Sequence, residues 1–293
     1  MKGLIIENIT NKYTIKTEAD KFICDARGKF KKDEITPVVG DFVEFEILDK
    51  DNKTGIIEKI IERKNYIKRP KLSNITQLVF VISSKMPKPD LLMLDKQLVF
   101  AEYMNLKSII VANKIDLDNN KSANEIKEVY GSIGYKVIET NAKENIGIEE
   151  LKKELKNNIS AFSGNSGVGK STLLNDLFGE KMTQEGLISS KNKRGKNTTT
   201  YIRLYELEET TYIADTPGFS TFDIYEIPSN EICKYFKEFN SYIQKCEFIG
   251  CNHIKERKCG IKEAVEEGKI NKDRYERFIK IYNEIKDKEE HKW

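Results

Sequence analysis

The segment Gly164-Asn165-Ser166-Gly167-Val168-Gly169-Lys170-Ser171-Thr172 limits the fold of this 293-residue chain more than any other stretch. It satisfies G-x-x-x-x-G-K-[ST]. A short apolar run, Ile159-Ser160-Ala161-Phe162, precedes it, and a helical pattern carrying Leu173, Leu174 and Leu177 comes after it. Strand, glycine-rich turn and helix in that order make a cradle for phosphate. The glycines let successive backbone N–H groups turn inward, and the helix N-terminus adds a favourable dipole. Lys170 is expected to reach the β- and γ-phosphates of a nucleotide, and the Ser171 hydroxyl to ligate Mg²⁺. An ordinary glycine-rich turn has no need of that placement.

Asn113-Lys114-Ile115-Asp116 comes after the apolar run Ser108-Ile109-Ile110-Val111-Ala112. The Asp116 carboxylate can accept two hydrogen bonds, from the N1–H and the exocyclic amine of guanine. Adenine offers no such donor pair, so a site of this kind discriminates between the two bases. N-K-x-D alone is weak evidence; beside a phosphate loop it is strong. Asp215-Thr216-Pro217-Gly218 comes after Thr211-Tyr212-Ile213-Ala214. There Asp215 is expected to hold Mg²⁺ through water and the Gly218 amide to sense the γ-phosphate. Asn141-Ala142-Lys143 fits the loop that backs the base. In an ordinary GTPase the phosphate loop comes first, whereas here the order is Asn113, Asn141, Gly164, Asp215. The helical pattern at 148–157 leads into the phosphate-loop strand across a few residues, as joining the usual termini would require. The G domain is therefore expected to be circularly permuted, with its second switch leading straight into the C-terminal segment.

Around this centre the texture changes twice. Residues 1–68 read as short strands, among them Lys21 to Ala26, the period-two run Gly40 to Ile47, and Ile56 to Ile61. They suit a small closed barrel, an OB-fold first and an SH3-like barrel second. From 69 to 224, apolar runs such as Gln77 to Ile82 alternate with helical patterns, one of them Leu91 to Met104, giving a doubly wound α/β sheet. Residues 225–293 are helical and charged, and 284–293 read as a fraying end. Within them Cys246, Cys251, His253 and Cys259 supply three thiolates and an imidazole, a set suited to one closed, structural Zn²⁺. Ordinary buried thiols are the alternative. The chain is thus expected to be multidomain: an N-terminal β-barrel, a central permuted α/β P-loop GTPase domain and a C-terminal mainly helical zinc-binding domain.

No apolar run approaches the ~20 residues that span a bilayer, and no secretory signal pattern opens the chain, so a cytoplasmic location without a membrane partner is expected. A net charge of +3 does not by itself demand nucleic acid. The cluster Lys191, Lys193, Arg194 and Lys196 is either a solvated loop or an RNA contact.

With these motifs in place the chain resembles the RsgA family of ribosome-maturation GTPases over essentially its whole length. The resemblance implies slow intrinsic GTP hydrolysis stimulated by the small ribosomal subunit, binding to its rRNA, a role in late subunit maturation with release of assembly factors, and a monomer cycling between GTP and GDP. Members usually carry Gly-Arg-His-Thr-Thr-Thr in the first switch, where this chain has Gly195-Lys196-Asn197-Thr198-Thr199-Thr200. Asn197 replaces the family's proposed water-positioning histidine, and Thr199 or Thr200 is expected to close on Mg²⁺. Asn141 stands where Ser is usual. Phe219 stands where many GTPases place a water-orienting glutamine, and an apolar ring cannot do that. Two other readings use the same residues: a permuted GTPase acting on another ribosomal particle, and an RNA-binding scaffold that uses GTP as a binding switch.

Overall fold

The computed structural model describes residues 1–28, 30, 35–179, 202–215 and 224–291. Alternating apolar and polar residues build five strands at the N-terminus: β1 (Lys2–Ile9), β2 (Lys12–Lys16), β3 (Lys21–Ala26), β4 (Phe42–Asp49) and β5 (Thr54–Ile60). On β4 the inward Val43 and Phe45 are buried, while Phe42 faces out. The strands run β1-β2-β3-β5-β4, and β4 pairs back onto β1 through Lys2↔Glu44 and Leu4↔Phe42. Of the barrel pairings only β3 with β5 is parallel. The result is a closed five-stranded OB-fold barrel. Its fourth strand starts later than the period-two run suggests. Gly40 has φ +93° and a Cβ there would lie 2.0 Å from the Ser73 carbonyl oxygen, so the residue turns the chain.

A small hairpin, β6 (Tyr66–Ile67) with β7 (Leu72–Ser73), links the barrel to the central sheet. Asp41 is fully buried beside it. Its carboxylate accepts from Arg63 Nε and Nη2 at 2.7 and 2.8 Å, from the Ser73 hydroxyl at 2.7 Å and from the Val38 amide at 2.8 Å. A bidentate arginine with two further donors satisfies a buried carboxylate that would otherwise be costly.

The central sheet comprises β8 (Gln77–Ser83), β9 (Lys107–Asn113), β10 (Lys136–Thr140), β11 (Ile159–Ser163), β12 (Arg203–Glu208) and β13 (Thr211–Asp215). Its order is β10-β9-β8-β11-β13-β12, parallel except for β12. Every residue of β8 is buried. Leu78, Phe80 and Ile82 feed one core with α1 (Leu91–Tyr103), α2 (Lys121–Ser132) and the C-terminal segment. Val79 and Val81 feed another with α3 (Ile148–Leu155) and α4 (Lys170–Phe178). Sequence periodicity did not single out β12. It pairs with β1 at Glu7↔Arg203 and so joins barrel and central sheet into one eleven-stranded sheet.

From Ile224 come short 3-10 segments, the longest Ser229–Tyr235, then α5 (Gly260–Glu266) and α6 (Lys272–Glu290). Phe236, Phe239 and Phe278 form an aromatic knot with centroid separations of 4.9–5.2 Å. The expected fraying end is corrected: α6 runs to Glu290, held by fully buried Ile285 and by Glu289, which accepts from the Ser229 amide and hydroxyl. Helix α6 docks on α1 through a buried ionic network. Arg274 is fully buried and pairs with Asp95 and Glu238, Arg277 Nε reaches Asp95 at 2.5 Å, and the Tyr130 hydroxyl donates to Asp95 at 2.8 Å.

Candidate functional site

The four nucleotide motifs lie at the carboxyl ends of neighbouring strands: Asn113 closes β9, Asn141 comes directly after β10, Gly164 directly after β11, and Asp215 closes β13. Ligands of open α/β sheets bind at that edge. The loop 164–169 makes its turn with Gly167 and Gly169 at φ +82° and +97°, and α4 opens at Lys170. A Cβ on Gly169 would lie 2.2 Å from Asn113 Nδ2, so only glycine lets the two motifs approach. Val168 is buried beneath the loop, whereas Ser166, Gly167, Ser171 and Thr172 are exposed at its mouth and Asn165 is half-buried. Ser171 thus has a hydroxyl at the open start of a helix, where the Mg²⁺ that accompanies a nucleoside triphosphate would be held.

Direct bonds tie the guanine motif to this loop. Asn113 Nδ2 donates to the Val168 carbonyl at 2.9 Å, and Asn113 Oδ1 accepts from the Thr140 hydroxyl at 3.0 Å. Lys114, left-handed at φ 62°, reaches the carbonyls of Met86 and Gly167. Ile115 is buried, and Asp116 sits exposed on the 3-10 turn Ile115–Asp118. In the base-backing loop the buried Asn141 accepts from the Lys143 amide at 3.2 Å, fixing the turn Ala142–Glu144. An asparagine side chain makes this Asx turn as well as serine would make its counterpart. Thr140 and Ser84, whose hydroxyl donates to the Lys114 carbonyl, are site residues that sequence reasoning missed. Thr140 adjoins Asn141 and could have been found there; Ser84 has no local signal. Thr199, Thr200, Asn197, Gly218 and Phe219 lie outside the described residues, as do Lys191, Lys193, Arg194 and Lys196.

The zinc ligands converge as their spacing suggests, all four donor atoms lying within 4.8 Å of one another. Cys246 Sγ and Cys259 Sγ are 3.9 Å apart, and each stands 3.5 or 3.4 Å from His253 Nδ1. A tetrahedron with Zn–S of about 2.3 Å and Zn–N of about 2.1 Å has edges of about 3.8 and 3.6 Å, so the group fits one Zn²⁺. Burial pushes the Cys251 thiol up to about 12 and lowers His253. A dication bound here would favour the Cys251 thiolate against that burial, and a lowered His253 offers its neutral ring. The Tyr275 hydroxyl donates to the His253 carbonyl at 2.7 Å, and Glu256 accepts from the amides of Asn252, Ile254 and Lys255.

Comparison with known proteins decides the family. The model of the RsgA GTPase matches residues 60–225, and that of the RsgA N-terminal domain matches residues 2–57. The chain belongs to the RsgA GTPase family. A curated relative from Clostridium novyi, named small ribosomal subunit biogenesis GTPase RsgA, is 44% identical over all of both chains. Another of that name, from Ruminiclostridium cellulolyticum, is 43% identical over 97% of this chain and 94% of its own. Among solved structures, YjeQ from Thermotoga maritima superposes with a TM-score of 0.83 at 37% identity, covering 97% of this chain and 98% of that one. YloQ, described as a circularly permuted GTPase, gives 0.81 at 30% identity and covers 98% and 95%. The permuted RsgA order is the order in which the four motifs occur here.

Proposed function

We propose that this chain is a slow GTPase stimulated by the small ribosomal subunit, acting late in that subunit's maturation and in the release of assembly factors. The observation that carries this reading is the bond from Asn113 to Val168, which makes base-reading and phosphate-holding motifs one pocket despite their permuted order. Family membership supplies the small subunit as partner, since the relatives bear that name.

In this reading the division between domains falls at residues 68 and 224. Asp116 reads the guanine edge, the Ala142 and Lys143 backbone backs the base, and amides of 164–169 with Lys170 hold the β- and γ-phosphates. Ser171, Asp215 through water, and Thr199 or Thr200 would hold Mg²⁺, which would supply positive charge against the phosphate oxygens. The Gly218 amide reports the γ-phosphate. Phe219 has no polar atom to orient the attacking water and Asn197 replaces the family's proposed water-positioning histidine, so unassisted turnover is slow and subunit contact completes the arrangement. The protein works as a cytoplasmic monomer. No helix among the described residues is long and apolar enough to cross a membrane.

The test is GTP turnover with and without purified small subunits, alongside co-sedimentation with each separated subunit. Stimulation by small subunits, and sedimentation with them, is the expected result. Absence of stimulation across magnesium and salt conditions would overturn the reading. Sedimentation with large subunits alone would favour action on another particle.

A further inference from the structure

Basic and acidic residues are nearly balanced in this chain, 50 against 47, yet residues 63–71 carry five basic side chains and no acidic one. Lys68, Arg69 and Lys71 lie on the turn of the β6–β7 hairpin and Arg63 and Lys64 on the chain that enters it, between the barrel and the central sheet. Two have structural partners: Arg63 holds buried Asp41, and Lys68 pairs with Glu226 at 2.6 Å. Lys64, Arg69 and Lys71 are exposed and have no ion-pair partner among the described residues.

The hairpin that presents them is held firmly at its base. Ile67 and Leu72 are buried in the main core. Asn65 donates to the Ile75 carbonyl at 2.8 Å and accepts from the Ile75 amide at 3.1 Å. Asn74 accepts from the Lys64 amide and donates to the Gly40 carbonyl, both at 2.8 Å. Arg63 also covers the Tyr66 ring at 4.9 Å. The cations therefore project from a base that need not be ordered on binding. Unpaired like charges held together repel one another, and a polyanion relieves that repulsion.

From this arrangement we infer that the β6–β7 hairpin is a contact surface for the phosphate backbone of RNA, with Lys64, Arg69 and Lys71 on phosphates. The inference rests on the ribosomal reading of the function, which makes RNA the available polyanion. Contacts of this kind position the protein without reading sequence, and they release counterions.

The test compares the full-length wild type with the triple variant Lys64→Ala, Arg69→Ala, Lys71→Ala, measuring affinity for small subunits and for their protein-free rRNA across a salt series. Loss of three phosphate contacts should weaken binding to both and reduce the slope of log K against log salt by about 2–3. Basal GTP turnover should be unchanged, because these side chains touch no nucleotide motif. The charge-keeping variant Lys64→Arg, Arg69→Lys, Lys71→Arg should retain the wild-type slope. A wild-type slope in the alanine variant, with wild-type binding intact, would overturn the hairpin assignment alone. Weakened binding to subunits but not to free rRNA would identify a protein partner and also overturn it. A wild type that binds neither would overturn both this inference and the ribosomal reading.

Discussion

Asp116 stands exposed on its 3-10 turn, so under the proposed function its carboxylate would meet an incoming base without breaking a bond to any described residue. Replacing it by Asn swaps one acceptor oxygen for an amide donor. Competition titrations with Asp116→Asn should show GTP affinity lowered by about 1.5–3 kcal/mol, the range of hydrogen bonds to charged groups. The same variant should gain affinity for xanthosine triphosphate, whose ring carries a carbonyl where guanine has its amine. Gly169 tests the other half of the pocket. In Gly169→Ala the methyl would meet Asn113 Nδ2 and the residue would be held at φ +97°, so strain of about 1–3 kcal/mol is expected. A fluorescent-GDP titration should register it as at least a several-fold loss of affinity. Both positions were legible in the sequence because the roles expected of them come from local spacing. Thr140 and Ser84 act across strands, and spacing along the chain does not encode that.

Helix α6 illustrates what the sequence hides at the scale of an element. Outside the zinc ligands, the sequence of 225–293 reads only as helical and charged, and nothing in it marks Arg274 as buried or Arg277 as mostly covered. Their burial depends on Asp95, 179 positions away from Arg274. Asp95→Asn leaves Arg274 with Glu238 and Arg277 with no carboxylate partner among the described residues, and breaking a buried pair in this way costs about 3–5 kcal/mol. Hydrogen exchange along α6 should speed up accordingly, with the barrel unaffected. The zinc knuckle depends instead on its ligands, since residues 246–259 contain no helix or strand. Metal analysis should find one zinc per chain. Chelation should release it and expose Lys255, Arg257 and Lys258 to trypsin, while zinc-loaded protein resists cleavage there. Protein that keeps this resistance after the metal is removed would contradict a structural role.

At the scale of the whole molecule, permutation ties each switch to a different neighbour. The first-switch residues 195–200 lead into β12, which pairs with barrel strand β1. From Asp215, eight residues of sequence lead to the docked turn Ile224–Glu226, where Ile224 is buried. Exchanging GDP for a non-hydrolysable GTP analogue should therefore change amide exchange at both exits, around Glu7 and around Ile224, more than in α3. Motif order announced the second link, but the first required knowing which strand β12 meets. That meeting has a further consequence. With the barrel closed by β1 and β4, and β12 meeting β1 at Glu7↔Arg203, β10 is the terminal strand of the principal sheet among the described residues. There Lys136 pairs with Glu150, and the Ile146–Gly147 turn packs so close that a Cβ on Gly147 would fall 2.1 Å from the Glu139 carbonyl oxygen. That terminal strand is thus a poor template for a twelfth in the principal sheet, which favours staying dispersed over templated aggregation in a crowded cell.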